Sequence, residues 1–173
     1  MTTPNHVMEY TMISKTLAAS AVLLSVFTTN ALAAIAVCPS AESITQKEDG
    51  PGYSYSAPGP NGRLWVGENP MADEGDLETF VFTGALYRTV SSQGNADVVS
   101  CDYEGDEWNA FARMTLYSFR GWAPVNGTKW KAQPVEEKAG ASHKANYVAQ
   151  CDSLVEKECE FNYKFLSTPP TGH

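Results

Sequence analysis

The sequence is short of basic side chains and of histidine. It carries 12 Lys and Arg residues against 20 Asp and Glu residues, a formal net charge of −8, and only 3 His residues. The basic residues are scattered singly, whereas a nucleic-acid binder clusters them to neutralise phosphates. An anionic membrane surface would repel such a chain for the same reason. The composition therefore argues against nucleic-acid and membrane partners, and an acidic surface favours either a cationic partner or simple solubility.

The sequence also lacks the short motifs that mark common catalytic and metal sites. It contains no Gly-x-Ser-x-Gly, no phosphate-binding glycine motif and no Cys-x-x-Cys. Beyond residue 33 the only histidines are His143, in a charged stretch predicted to be a loop, and the terminal His173. A serine or cysteine hydrolase needs a positioned base, and the sequence offers none. We expect no catalytic residue, no bound metal and no cofactor.

The first 33 residues have the pattern of an export signal preceded by extra sequence. A short polar stretch from Met12 leads into an apolar run over 16–27, and Ala31 and Ala33 are the small residues that a signal peptidase inspects. The run is shorter than the roughly 20 apolar residues that cross a bilayer. We predict a mis-assigned start over 1–11, a signal peptide over 12–33 and no membrane insertion after cleavage. The mature protein is expected in the periplasm or outside the cell.

All four cysteines lie beyond the predicted signal, and an even count in an oxidising compartment indicates disulfides. Three pairings are possible. We favour Cys38 with Cys101 and Cys151 with Cys159, because the close spacing of the second pair suits a bridged hairpin. A structural zinc site is the alternative, although the usual Cys-x-x-Cys spacing is missing.

Alternation of apolar and polar residues predicts β-strands along most of the mature chain. Val99, Cys101 and Tyr103 form one inward-facing row. Strands over 53–56 and 63–66 are separated by the Pro- and Gly-rich turn 57–62. The longest ordered stretch, 77–90, favours a strand in which Gly84 marks a bulge, with a helix over 77–87 as the alternative.

The last strand shows the cleanest alternation. It places Cys159, Phe161, Tyr163 and Phe165 on one face, and together with 146–151 it predicts a hairpin closed by the second disulfide. About eight short strands without a convincing amphipathic helix predict a disulfide-braced, all-β fold, an antiparallel β-sandwich or barrel. We expect a single domain over 34–166, a mobile loop over 133–144 and a frayed tail over 167–173.

The densest group of possible ligands is the acidic run Asp102, Glu104, Asp106 and Glu107. Three carboxylates at a spacing of two could bind calcium, but their order does not match an EF-hand loop. A solvated strand face that runs into an acidic turn is the simpler interpretation. Two of these carboxylates could also form a glycosidase pair, because such pairs are defined by separation in space.

The chain has four tryptophans, and two of them are the best candidates for exposed contact residues. Exposed indoles bind sugar rings and form hot spots in protein interfaces, whereas buried ones fill cores. Trp108 and Trp122 lie beside Glu107 and Gly121 in predicted turns, so we prefer these two as the exposed pair, with packing at the core as the alternative. The candidate binding residues are Trp108, Trp122, Asp102, Glu104 and Asp106.

A set of single aromatic, cysteine and small residues recurs through the mature chain: Cys38-Pro39-Ser40, Ile44, Tyr55, Ala57, Trp65, Phe82, Ala85, Gly94, Cys101-Asp102-Tyr103, Leu116, Trp130, Tyr147, Cys151, Cys159 and Phe161. In these positions the chain resembles a family of small exported proteins of Gram-negative bacteria known mainly as a domain of unknown function. The resemblance runs from Cys38 to about Phe165, and Glu160 stands where relatives are expected to have proline. It implies an envelope or secreted location and supports the disulfides, and it brings no catalytic residues.

The leading hypothesis is therefore an exported, non-enzymatic binding domain with a protein or glycan partner. A specific form of it is an immunity or inhibitor protein whose acidic face covers a cationic enzyme. The competing hypothesis is a hydrolase of cell-wall or glycan substrates that uses a carboxylate pair.

Overall fold

The computed structural model describes residues 33–133 and 147–168, which form short antiparallel strands joined by turns and brief 3-10 segments. The predicted start extension, all but the last residue of the predicted signal peptide, nearly all of the predicted mobile loop and most of the tail lie outside these residues. The strands are β1 (Ala34–Ala36), β2 (Thr45–Asp49), β3 (Gly52–Pro58), β4 (Leu64–Asn69), β5 (Val81–Val90), β6 (Ala96–Glu104), β7 (Phe111–Leu116), β8 (Phe119–Arg120), β9 (Ala123–Pro124), β10 (Trp130–Gln133), β11 (Val148–Asp152), β12 (Phe161–Tyr163) and β13 (Phe165–Leu166).

Eight of these strands form one antiparallel sheet in the order β10-β11-β5-β6-β7-β4-β3-β2. A three-stranded sheet, β1-β12-β9, and a two-stranded ribbon, β13-β8, form a second layer. Phe119 of β8 joins the layers, because its ring centroid lies 5.9 Å from Trp65 of β4 and 4.9 Å from Phe161 of β12. The predicted all-β, disulfide-braced antiparallel fold is confirmed.

The core lies between the inner face of the large sheet and the second layer. Strand alternation directs Val99, Cys101 and Tyr103 of β6 inward, as the sequence predicts, and all three are buried. Tyr55 of β3 and Trp65 of β4 are also almost fully buried. Removal of these large apolar surfaces from water is the main force that holds the two layers together.

Two local predictions are confirmed. The turn-rich segment around Pro60–Gly62 connects β3 to β4 as an antiparallel pair. The register of β5 against β6 shifts between Phe82 and Gly84, which is the predicted bulge. The helix alternative over 77–87 is wrong, because only a 3-10 turn at Asp76–Thr79 precedes the strand.

Both predicted disulfides are present. Cys38 is bonded to Cys101 and Cys151 to Cys159, with Cα–Cα separations of 5.8 Å in each case. The first bridge ties the segment after β1 to the centre of the large sheet. The second closes a short loop that contains a 3-10 turn at Glu156–Cys159.

The predicted hairpin around the second disulfide is wrong. Strand β11 pairs with β10 and β5 in the large sheet, whereas β12 pairs with β1 and β9 in the small one. Cys159 ends a 3-10 turn rather than starting a strand, and a bend at Lys164 leaves Phe165 exposed. Alternation indicates which residues share a face, but it does not determine which strand becomes the partner.

Among residues 33–133 and 147–168 there is no helix with the length and apolar character that a membrane crossing requires.

Candidate binding surface

The outer face of the large sheet carries the polar side chains that alternate with the core residues. The register places Asp152 of β11 beside Gly84 of β5, Gly84 beside Asp102 of β6, and Asp102 beside Arg113 of β7. A row of four positions therefore crosses four strands, and the glycine leaves a gap between two carboxylates.

This gap is part of a groove formed by two adjoining depressions of about 480 and 420 Å³. Asp102, Glu104 and Arg113 line both depressions, so the groove is continuous across β11, β5, β6 and β7. Gly84 forms part of its floor, where the backbones of β5 and β11 approach closely: a Cβ atom at this position would lie 2.8 Å from the carbonyl oxygen of Cys151. The site thus requires glycine for close packing of two strands.

The wall of the groove is held by an ion pair with two parallel hydrogen bonds. Arg113 donates from Nε to Oδ1 of Asp102 at 2.6 Å and from Nη2 to Oδ2 at 2.9 Å. The side chains are 55% and 31% exposed, and the hydrogen bond to Asp102 raises the pKa of the Arg113 guanidinium. Such a fork fixes both planar groups in one orientation, although its exposure limits its contribution to stability.

On β11, Gln150 donates to Oδ1 of Asp152 at 2.5 Å, so a second pair of polar groups is also held in place. Arg88 of β5 lines the same groove. Sequence reasoning missed Arg88, Arg113, Gln150 and Asp152. The signal that could have found Arg113 is the register of β6 against β7, which places it opposite Asp102.

Beyond Glu104 the chain turns from β6 to β7 through an exposed acidic segment, which we call the acidic rim: Glu104, Asp106, Glu107 and Trp108. Its turn is fixed by hydrogen bonds from the Gly105 amide to the Ala110 carbonyl at 2.6 Å and from the Asp106 amide to Thr79 Oγ1 at 3.2 Å. Trp108 is 80% exposed. Within the described ranges the three acids form no ion pair.

The structure places four of the predicted binding residues on or next to this surface. Asp102 and Glu104 line the groove, and Asp106 and Trp108 lie in the acidic rim. Trp108 is exposed, as expected.

The expected exposure of Trp122 is wrong. Its ring stacks on Tyr87 at 4.0 Å and meets Trp130 edge-on at 5.1 Å, so it packs against the core. Its indole Nε1 is buried and has no hydrogen-bond acceptor in the described part of the chain. A neighbouring glycine indicates a turn, but it does not reveal which way the next side chain points.

In the part of the chain that the structure covers, no group of three His, Cys, Asp or Glu side chains is arranged to hold a metal ion. The calcium interpretation of Asp102, Glu104 and Asp106 therefore has no geometric support. Both carboxylate oxygens of Asp102 accept hydrogen bonds from Arg113 instead.

A family model described as "protein of unknown function (DUF3757)" matches residues 31–162, and the chain belongs to this family. Searches of curated proteins and of solved structures found no match. The match covers the whole large sheet and the acidic rim, so the groove and the rim lie within the family domain.

Proposed function

We propose that the protein is an exported, non-enzymatic binding domain that works in the periplasm or outside the cell and recognises a cationic protein. An immunity or inhibitor protein that covers a basic enzyme is the specific form of this proposal. The two disulfides support an oxidising location, because such bridges persist outside the reducing cytosol.

The observation that carries the proposal is the acidic rim. An indole that is 80% exposed lies beside three acids without an internal counter-ion in the described residues. Tryptophan is enriched in binding hot spots, and a cation placed over its ring is attracted to the π face. Exposed carboxylates add long-range attraction that steers a basic partner toward the rim.

The competing proposal, a glycan hydrolase, finds less support in the groove. A retaining or inverting mechanism needs two carboxyl groups free to act as acid and as base or nucleophile. Asp102 is engaged by Arg113 through both oxygens, and Oδ1 of Asp152 accepts a hydrogen bond from Gln150. Among the described residues this leaves Glu104 as the groove carboxylate with neither an ion pair nor a side-chain hydrogen bond, whereas the mechanism needs two.

The test is capture by the immobilised mature protein from periplasmic and culture fractions, followed by binding kinetics with the purified partner. A triple variant, Asp106→Asn, Glu107→Gln and Trp108→Ala, should lose a basic partner. The control variant Glu48→Gln with Asp49→Asn removes the same charge from exposed positions on β2 and should retain the partner. The association rate should fall as salt shortens the Debye length from about 30 Å at 0.01 M to about 10 Å at 0.1 M.

Equal retention by the rim and control variants would contradict the proposal, as would a captured partner that is acidic. Turnover of peptidoglycan or of a glycan by the mature protein, lost when Glu104 is replaced by Gln, would favour the hydrolase instead.

A further inference from the structure

The groove on the outer face has a ligand chemistry different from that of the acidic rim. Its charged residues are of both signs: the acids Asp102, Glu104 and Asp152, and the arginines Arg88 and Arg113. Asp102 and Arg113 neutralise each other, which leaves Glu104 and Asp152 against Arg88, a small net negative charge in the rest of the groove. A strongly charged ligand of either sign would meet a like charge here, so the groove suits a neutral, polar ligand.

The groove also excludes recognition through a peptide backbone. Strands β11, β5 and β6 are paired on both sides, so their backbone groups are used in the ladders of the sheet. Peptides that add a strand do so at a sheet edge, where such groups are free. A ligand on this face must therefore be recognised by side chains. This favours a molecule whose polar groups lie on its periphery, where the side chains can contact them.

The Asp102–Arg113 ion pair can form hydrogen bonds with two neighbouring hydroxyl groups of a ligand. The fork between Arg113 and Asp102 leaves unused N–H donors on the guanidinium and unused acceptor positions on the carboxylate. A hydroxyl both donates and accepts, so two adjacent hydroxyls of a sugar ring can accept from the arginine and donate to the aspartate. Because both planar groups are already held, little side-chain freedom is lost on binding.

One end of the groove adds an apolar contact. Phe111 lies opposite Glu104 in the register of β6 and β7, lines the second depression, and is 38% exposed. An aromatic ring of this kind can pack against the apolar face of a sugar. The four strands span about 14 Å, the length of a short oligosaccharide of about three rings.

We propose that this groove binds a neutral oligosaccharide, which stacks on Phe111 and hydrogen-bonds to the Asp102–Arg113 pair and to Gln150. This inference goes beyond the proposed recognition of a cationic protein. Glu104 borders both surfaces, but the variants that test the groove change Phe111, Arg113 and Gln150, and those that test the protein contact change Asp106, Glu107 and Trp108. Either proposal can therefore fail alone.

The test starts with the mature protein on a printed oligosaccharide array, and continues with calorimetry on the neutral oligosaccharides that bind and on the tetramer of N-acetylglucosamine. Phe111→Ala, Gln150→Ala and Arg113→Lys should each weaken binding at least tenfold. Lysine keeps the charge of Arg113 but cannot form the fork. The matched controls are Phe165→Ala and Gln93→Ala, which remove exposed side chains outside the groove and should leave affinity unchanged.

Thermal unfolding of each variant separates a lost contact from a lost fold. The conservative Arg113→Lys exchange keeps the proposal testable if Phe111→Ala unfolds. The proposal is overturned if no neutral oligosaccharide binds at concentrations up to roughly 10 mM, about tenfold above a millimolar dissociation constant. It is also overturned if folded groove variants bind as tightly as the controls.

Discussion

Replacement of Trp122 by alanine should destabilise the fold substantially, because this ring joins the inner face of the large sheet to the second layer. It stacks on Tyr87 with an interplanar angle of 3° and lies 6.4 Å from Phe161 of β12. Truncation of a large buried aromatic side chain costs about 3–5 kcal/mol. Since Trp122 is only partly buried, we expect a loss near the lower end, about 3 kcal/mol.

Replacement of Trp122 by phenylalanine should cost much less. Phenylalanine keeps a ring against Tyr87 and removes the buried indole N–H, which has no acceptor in the described residues. A buried donor without a partner costs about 1–3 kcal/mol, so its removal offsets part of the lost contact area. We expect a net loss of about 1 kcal/mol.

The free energy of unfolding is measured by urea denaturation, with far-ultraviolet circular dichroism as the signal because a tryptophan is removed. Trp108→Ala is the matched control and should change stability by less than about 0.5 kcal/mol, since its ring is exposed. The reasoning is refuted if the two alanine variants lose equal stability. A loss in Trp122→Phe as large as that in Trp122→Ala would show that the indole N–H makes a favourable contact.

The two disulfides should contribute unequally: loop closure over 63 residues gives about 4 kcal/mol for Cys38–Cys101, and closure over 8 gives about 2.5 kcal/mol for Cys151–Cys159. Urea midpoints of the two paired Cys→Ala variants check this order, and a larger loss from the second pair would contradict it. Stability should also fall in alkaline solution, because burial raises the pKa of the Tyr103 hydroxyl, so the folded protein holds this proton more tightly than the unfolded chain does. The contribution of the Tyr103 proton to the free energy of unfolding is complete below about pH 10. Above that pH it falls by about 1.4 kcal/mol per pH unit. Denaturation at a series of pH values should show a shallower fall in Tyr103→Phe, and an unchanged slope would refute the assignment.

Much of the fold follows from local sequence. Alternation predicts the inner row of β6, a Pro- and Gly-rich turn predicts the β3–β4 pair, and an interior glycine predicts the bulge at Gly84. In each case the relevant interaction lies within one strand or between strands that are close in the chain. The pairing of Cys151 with Cys159 was also predictable, because the residues are close in sequence.

The errors arise where a distant segment decides the outcome. The strand after Cys159 alternates cleanly, but β1, almost the full domain away in the chain, is its partner. Trp108 and Trp122 have similar turn-like neighbours. Trp122 is packed because Trp130 and, from distant parts of the chain, Tyr87 and Phe161 surround its ring. The residues of the groove come together only through the pairings of β11 with β5, β5 with β6 and β6 with β7. Its arginines could therefore not be identified from their spacing in the sequence alone.

The pairing of the cysteines follows their order in the chain: the first is bonded to the second, and the third to the fourth. If the chain is exported with its N-terminus first, as we propose, Cys38 and then Cys101 reach the oxidising compartment before the other two cysteines. An oxidase that joins thiols in order of arrival would therefore form the native bridges directly. Such a chain has little need for a disulfide isomerase, and its oxidative folding should proceed at a similar rate with or without one.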